Sequence, residues 1–234
     1  MRLAVSGTYS SGKTTTSVAL AFLTGIPRTH AKTMREILPE AVPGKRLEEC
    51  TPAELVQLCV RRFVDRAVYE SRLGSEFISD GSSLHEWSYG KVRARVGIHP
   101  DDSGPAAPGL RPGELVFFED VIDSMGVAMK QYAKRSYDAF AHLPIEFPLV
   151  ADGHRPLSER FRALTDELIR DTLDELRIPY HVVGGTLVER LDTIARIFDL
   201  PGRMPVEEAA ERAVAEVQRM DTADELARQT CPAG

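Results

Sequence analysis

Gly7-Thr8-Tyr9-Ser10-Ser11-Gly12-Lys13-Thr14 dictates much of what this chain can become. Leu3-Ala4-Val5 before it reads as a buried strand, and Thr15 to Leu23 after it as a helix. That order puts a glycine loop at a helix N-terminus, where unpaired N–H groups and the macrodipole favour phosphate oxygens. The spacing G-x-x-x-x-G-K-[ST] then assigns roles. The glycines allow a tight turn and close approach of the backbone. Lys13 supplies charge for the β- and γ-phosphates, and Thr14 a hydroxyl for Mg²⁺. Residues Gly7, Thr8, Tyr9, Ser10, Ser11, Gly12, Lys13, Thr14 and Thr15 are the candidate nucleotide contacts.

The remaining bounds are broad. A chain of 234 residues, 43% hydrophobic, is long enough to bury a sizeable core. A net charge of −6 with no basic stripe argues against a nucleic-acid partner. Three cysteines without C-x-x-C spacing fit a reducing compartment and no cysteine metal site. Met1-Arg2 leads straight into the first strand, and no apolar run reaches the ~18 residues a membrane helix needs. The expectation is a cytoplasmic protein without a membrane partner.

Strands are expected at 2–6, 26–29, 77–80, 145–150 and 178–183, with helices between them. This alternation predicts an α/β fold: a mostly parallel five-stranded sheet flanked by helices. Thr51-Pro52-Ala53-Glu54 and Thr186 with Glu189 are capping boxes that start helices. Glu114 to His142 reads as one long helix, or as two broken near Gly126. Residues 1–200 form the expected domain, including a Pro- and Gly-rich loop at 97–113. Residues 201–234 form a last helix and tail, exposed or serving as a partner surface, and a homodimer is one expectation.

Several residues join the loop as candidates. Phe77-Ile78-Ser79-Asp80-Gly81 is a strand ending in an acid. Asp80 there can face the phosphates, hold Mg²⁺ through water, or take the proton of an attacking hydroxyl. Arg28, His30 and Arg35 lie at and just past an expected strand end, where open α/β sheets bind ligands. They read either as a substrate pocket or as an exposed charged face. On the helix after Asp80, Glu86 suits hydroxyls and Arg93 or Arg95 an anion, with Trp87 left to the core. Asp123 lies in an acidic group that is either solvated or in contact with substrate. Residues 152–162 carry Arg155, Arg160 and Arg162 around a Gly/Pro turn, a flap that closes over a nucleotide. Arg162 itself also reads as a surface residue of an amphipathic helix. Gly184-Gly185-Thr186 after the last strand is a place for an adenine ring against backbone, with Gly185 and Thr186 as contacts.

With these motifs the chain resembles the P-loop nucleoside and nucleotide kinases, and more closely the NadR-like ATPase/kinase family. The resemblance is carried by residues 7–15, by Phe77-Ile78-Ser79-Asp80 and by Ala151-Asp152-Gly153-His154-Arg155. It implies ATP with Mg²⁺, a lid containing Arg155, and transfer of the γ-phosphate to a small hydroxyl-bearing acceptor. Lys13, Asp80 and Arg155 would be the catalytic groups, with Thr14 and Asp80 at the metal. Asp80-Gly81-Ser82 departs from the Asp-Arg or Glu-Arg pair of deoxynucleoside kinases. The alternative is a nucleotide-dependent regulatory ATPase acting through a protein partner.

Overall fold

The computed structural model describes residues 1–29, 32–100, 112–149 and 158–230. Strand β1 (Arg2–Ser6) is buried from Leu3 onward, as its unbroken apolar run requires. The loop after it opens α1 (Lys13–Thr24), which stops at Gly25 in the left-handed conformation. Next come α2 (Met34–Ala41) and α3 (Pro52–Arg72), each with a complete capping box, from Thr33/Glu36 and Thr51/Glu54. Strand β2 (Phe77–Asp80) and helix α4 (Ser83–Val96) follow. Helix α5 (Pro112–Ser136) is unbroken at Gly126 and leads into β3 (Ala139–His142). The chain closes with α6 (Glu159–Leu176), β4 (Tyr180–Val182), α7 (Leu187–Ile197) and α8 (Val206–Thr230).

The sheet runs β2-β1-β3-β4, all parallel. Among the described residues it has four strands, not the five expected. The 26–29 segment makes a single bridge, Arg28 to Ile78, with Ile78 N–H donating to Pro27 O at 2.9 Å. Pro27 has no N–H to give, so the segment covers the sheet edge without extending it. The strand expected at 145–150 is a second correction. Ile145 and Phe147 are exposed there, and the strand lies earlier, at 139–142. Those four residues are all buried between neighbours on both sides, a position that selects for extended backbone over helix.

The sheet is covered on both faces. Leu3, Val5 and Ala141 pack against α1, α7 and α8, while Ala4, Phe77 and Phe140 pack against Leu84, Ala133 and Ile169. A further cluster joins α2 to α5 through Ile37, Leu58, Trp87, Phe118 and Ile122. Helix α8 lies along α1 and buries Ala209, Ala210 and Ala213. It continues to Thr230. No helix among the described residues is long and apolar enough to cross a membrane. The chain leaves β1 for β2 on one side and returns to β3 on the other. The crevice at the carboxyl end of β1 is therefore the place where such sheets bind ligands.

Candidate functional site

The loop from Gly7 to Gly12 fills that crevice. Gly7 (φ +134°) and Gly12 (φ +89°) hold conformations that other residues rarely adopt, and Ser10 sits at φ +56°. A Cβ on Gly7 would lie 2.6 Å from Leu143 O, so loop and strand end meet at a separation only glycine permits. Lys13 Nζ donates to Thr8 O at 2.5 Å, and Ser11 Oγ donates to the same carbonyl at 2.9 Å. Thr14 is exposed and Thr15 half-buried at the first turn of α1. Tyr9 stacks on Tyr89 of α4, with ring centroids 4.5 Å apart, and beyond it on Phe161 of α6.

His85 braces the loop from α4. Its Nδ1 accepts the Ser82 N–H at 3.0 Å, which leaves the proton on Nε2 to donate to Gly7 O at 2.9 Å. The ring is buried, and burial beside Lys13 and Arg66 holds it neutral, well below the usual imidazole range. The imidazole is thus a fixed strut.

Asp80 pairs in register with Val5, at the level from which the loop departs. Its carboxylate is 3.4 Å from Arg28 Nη1, and its backbone is held by Thr29 and Arg66. Glu86 is buried on α4, 2.9 Å from Arg62 and 3.5 Å from Arg66. Arg66 is itself buried and reaches Glu70 and the hydroxyl of Ser79. Arg93 is buried, donates to Ile98 O and lies over the Phe161 ring. A narrow cavity between the loop and α4 is lined by Tyr9, Glu86, Tyr89, Arg93 and Phe118. Glu86 and Arg93 therefore share one cavity wall with the loop's own tyrosine. Asp123 is half-exposed and paired with Lys91 at 2.8 Å.

His30 and Arg155 lie outside the described residues, as do the side chain of Arg35 and most of the 97–113 loop. In the described remainder of the flap, Arg160 is exposed and Arg162 buried. This reverses the surface reading of Arg162. It donates to Phe147 O at 2.6 Å and approaches Ser10 O at 3.4 Å. Gly185 donates its N–H to both carboxylate oxygens of Glu146, while Thr186 caps α7.

Sequence reasoning missed Arg190, one turn into α7. It is buried, donates to Ser11 O at 2.7 Å and pairs with Glu146 at 2.7 Å. The Arg190 hydrogen bond holds the Glu146 carboxyl below its ordinary range. No local pattern marks Arg190, because its partners lie in distant segments.

Two hard oxygen donors, the exposed hydroxyl of Thr14 and the carboxylate of Asp80, belong to the same end of the sheet. Such a set suits Mg²⁺, which takes few protein ligands and completes its shell with phosphate and water. Among the described residues no cluster of three or more His, Cys, Asp or Glu side chains is placed to hold a metal alone.

A family model described as AAA domain matches residues 2–190. No curated relative matches by sequence. Among solved structures, deoxyadenosine kinase from M. mycoides with bound dCTP superposes with a TM-score of 0.55 at 12% identity. That superposition covers 85% of this chain and 99% of the kinase. The same kinase with products dCMP and a flexible dCDP gives a TM-score of 0.56 at 12% identity, covering 85% and 98%. Likeness at this identity establishes a shared fold, a parallel α/β sheet flanked by helices.

Proposed function

The chain belongs to the AAA domain family, and from that premise we propose an ATP-dependent kinase that phosphorylates a hydroxyl of a nucleoside-like or other small metabolite. Its placement among NadR-like kinases is a finer element of the same proposal. The observation that carries it is Asp80, a carboxylate at the end of β2, in register with the strand that launches the phosphate loop. A nucleotide-binding loop alone serves many functions. A carboxylate set across from it adds what transfer to a hydroxyl needs.

In this reading the loop N–H groups and Lys13 hold the β- and γ-phosphates. Asp80 orients the acceptor hydroxyl and takes its proton as the oxygen attacks the γ-phosphorus and the bond to the β–γ bridging oxygen breaks. Mg²⁺, held by Thr14 and Asp80, would supply charge neutralisation on the phosphates. Lys13 and Arg155 offset the charge of a loose transition state, where positioning and electrostatics do most of the catalysis. Glu86 and Arg93, in the cavity beside Tyr9, bind the acceptor, and Arg28, His30, Arg35 and Asp123 are further acceptor contacts in this reading. Gly185, Thr186 and Arg160 contact the nucleotide.

The test is product analysis with ATP and a panel of hydroxylated metabolites. Phosphate appearing on a small molecule supports the kinase. Slow hydrolysis that no metabolite accelerates, but a protein does, would replace it with the regulatory ATPase. Asp80→Asn is expected to cut transfer by 10²-fold or more while ATP still binds. Full retention of transfer removes Asp80 from the mechanism.

A further inference from the structure

Arg162 and Arg190 are large, charged and almost fully buried, 1% and 2% exposed, yet neither lies in the motif. Burying a guanidinium is costly unless its surroundings compensate. Arg190 is compensated by Glu146 on one arm and Ser11 O on the other. Arg162 has Phe147 O, Ser10 O and, at 3.5 Å, the exposed Glu159. In both residues the Nε is buried without a hydrogen-bond partner. What the two share is the loop: they approach consecutive carbonyls, Ser10 and Ser11.

The peptide geometry gives this pairing a meaning. All described peptide bonds are trans, so each carbonyl points opposite to the N–H of the next residue. Fixing Ser10 O turns the Ser11 N–H the other way, and fixing Ser11 O does the same for the Gly12 N–H. His85 acts likewise on Gly7 O and hence on the Thr8 N–H. The donors of an anion-binding loop work only when they converge, and a flexible loop would lose affinity to the disorder of its peptide planes. Gly12 is fitted to the contact: a Cβ there would lie 3.0 Å from Arg190 Nη1.

We propose that Arg190, seconded by Arg162, is a positioning residue that sets the peptide planes of Ser11 and Gly12 so that their N–H groups converge on phosphate. Glu146 and the Phe147 ring, 5.1 Å from the Arg190 guanidinium carbon, hold it in the required orientation. The inference rests on reading residues 7–14 as a phosphate loop.

Calorimetric titration of the full chain with ATP and with inorganic tripolyphosphate tests it. Tripolyphosphate has phosphates but neither base nor ribose. Arg190→Gln is expected to weaken both ligands equally, by about tenfold, and Arg190→Lys, which keeps one donor for Ser11 O, by less. Loss of ATP affinity alone would mean that Arg190 reads the base or ribose, and unchanged affinity for both that it only docks α7; either overturns the proposal. A wild-type chain that binds neither ligand overturns the phosphate-loop reading itself. Should Arg190→Gln fail to fold, Glu146→Gln on the half-exposed partner takes its place. Its Gly12 amide resonance in the free protein is expected to move while that of Gly25, at the far end of α1, stays. An unmoved Gly12 resonance sinks the proposal.

Discussion

At the residue scale, the His85 strut ties the glycine loop after β1 to acidity. Its folded-state pKa is depressed by burial, so below about pH 6.5 the unfolded chain binds a proton that the folded chain refuses. Stability conferred by the neutral ring is complete above that pH and is lost as pH falls, by up to about 1.4 kcal/mol per pH unit. Urea unfolding at pH 7.5 and 5.5 should show the loss, and His85→Gln should flatten it; an unaltered slope in the variant would assign the acid sensitivity elsewhere. Cys59 contrasts with it. Burial pushes its thiol up to about 12, and alkylation of the folded protein by iodoacetamide should leave it unmodified. The loop residues and Asp80 were legible in the sequence because each belongs to a short local pattern. Arg190 was not, since nothing within one turn of it hints at Ser11.

At the element scale, the wall behind the cavity beside Tyr9 is made where α4 crosses α5, and two glycines set how close they come. A Cβ on Gly90 would meet Ile122 Cδ1 at 2.7 Å, and one on Gly126 would meet Trp87 Cδ1 at 2.5 Å. Gly90→Ala is expected to destabilise by about 1–3 kcal/mol through overpacking. Gly113→Ala, in the first turn of α5 with nothing within 4 Å, should stabilise by up to about 1 kcal/mol. Denaturant melts of the two variants check both signs. Three helices can be read from their caps: Thr51 with Glu54, Thr186 with Glu189, Gly25 after α1. The end of α5 carried no such mark. Ser136-Tyr137-Asp138 has neither Gly nor Pro, and Ala139-Phe140-Ala141 suits either conformation. A local pattern therefore extends the helix through this strand and points instead to the Ile145-Glu146-Phe147 run, which is β-prone but exposed.

At the scale of the whole molecule, α8 backs the helix that the loop launches. Ala213 is fully buried against that layer, and Arg203 N–H donates to Leu23 O at 2.7 Å. Ala213→Asp would bury an unpaired charge, at a cost on the order of 3 kcal/mol. A Tm drop of roughly 6–12 °C is expected for a chain of this size, measured by calorimetry; an unchanged Tm would show that α8 is dispensable to the fold.

The loop's supports also fix when it can form. Gly7 is braced across 78 residues of sequence, Ser10 across 152 and Ser11 across 179. A motif written in eight consecutive residues thus has a shape of very high contact order. Contacts this distant in sequence close slowly, because the entropy of the intervening chain must be spent first. During synthesis the segment that reads as a phosphate loop is made well before α7, and its carbonyl braces are complete only when α7 docks. Recovery of tripolyphosphate affinity during refolding should therefore lag behind recovery of helical signal and serve as a clock for completion of the native state.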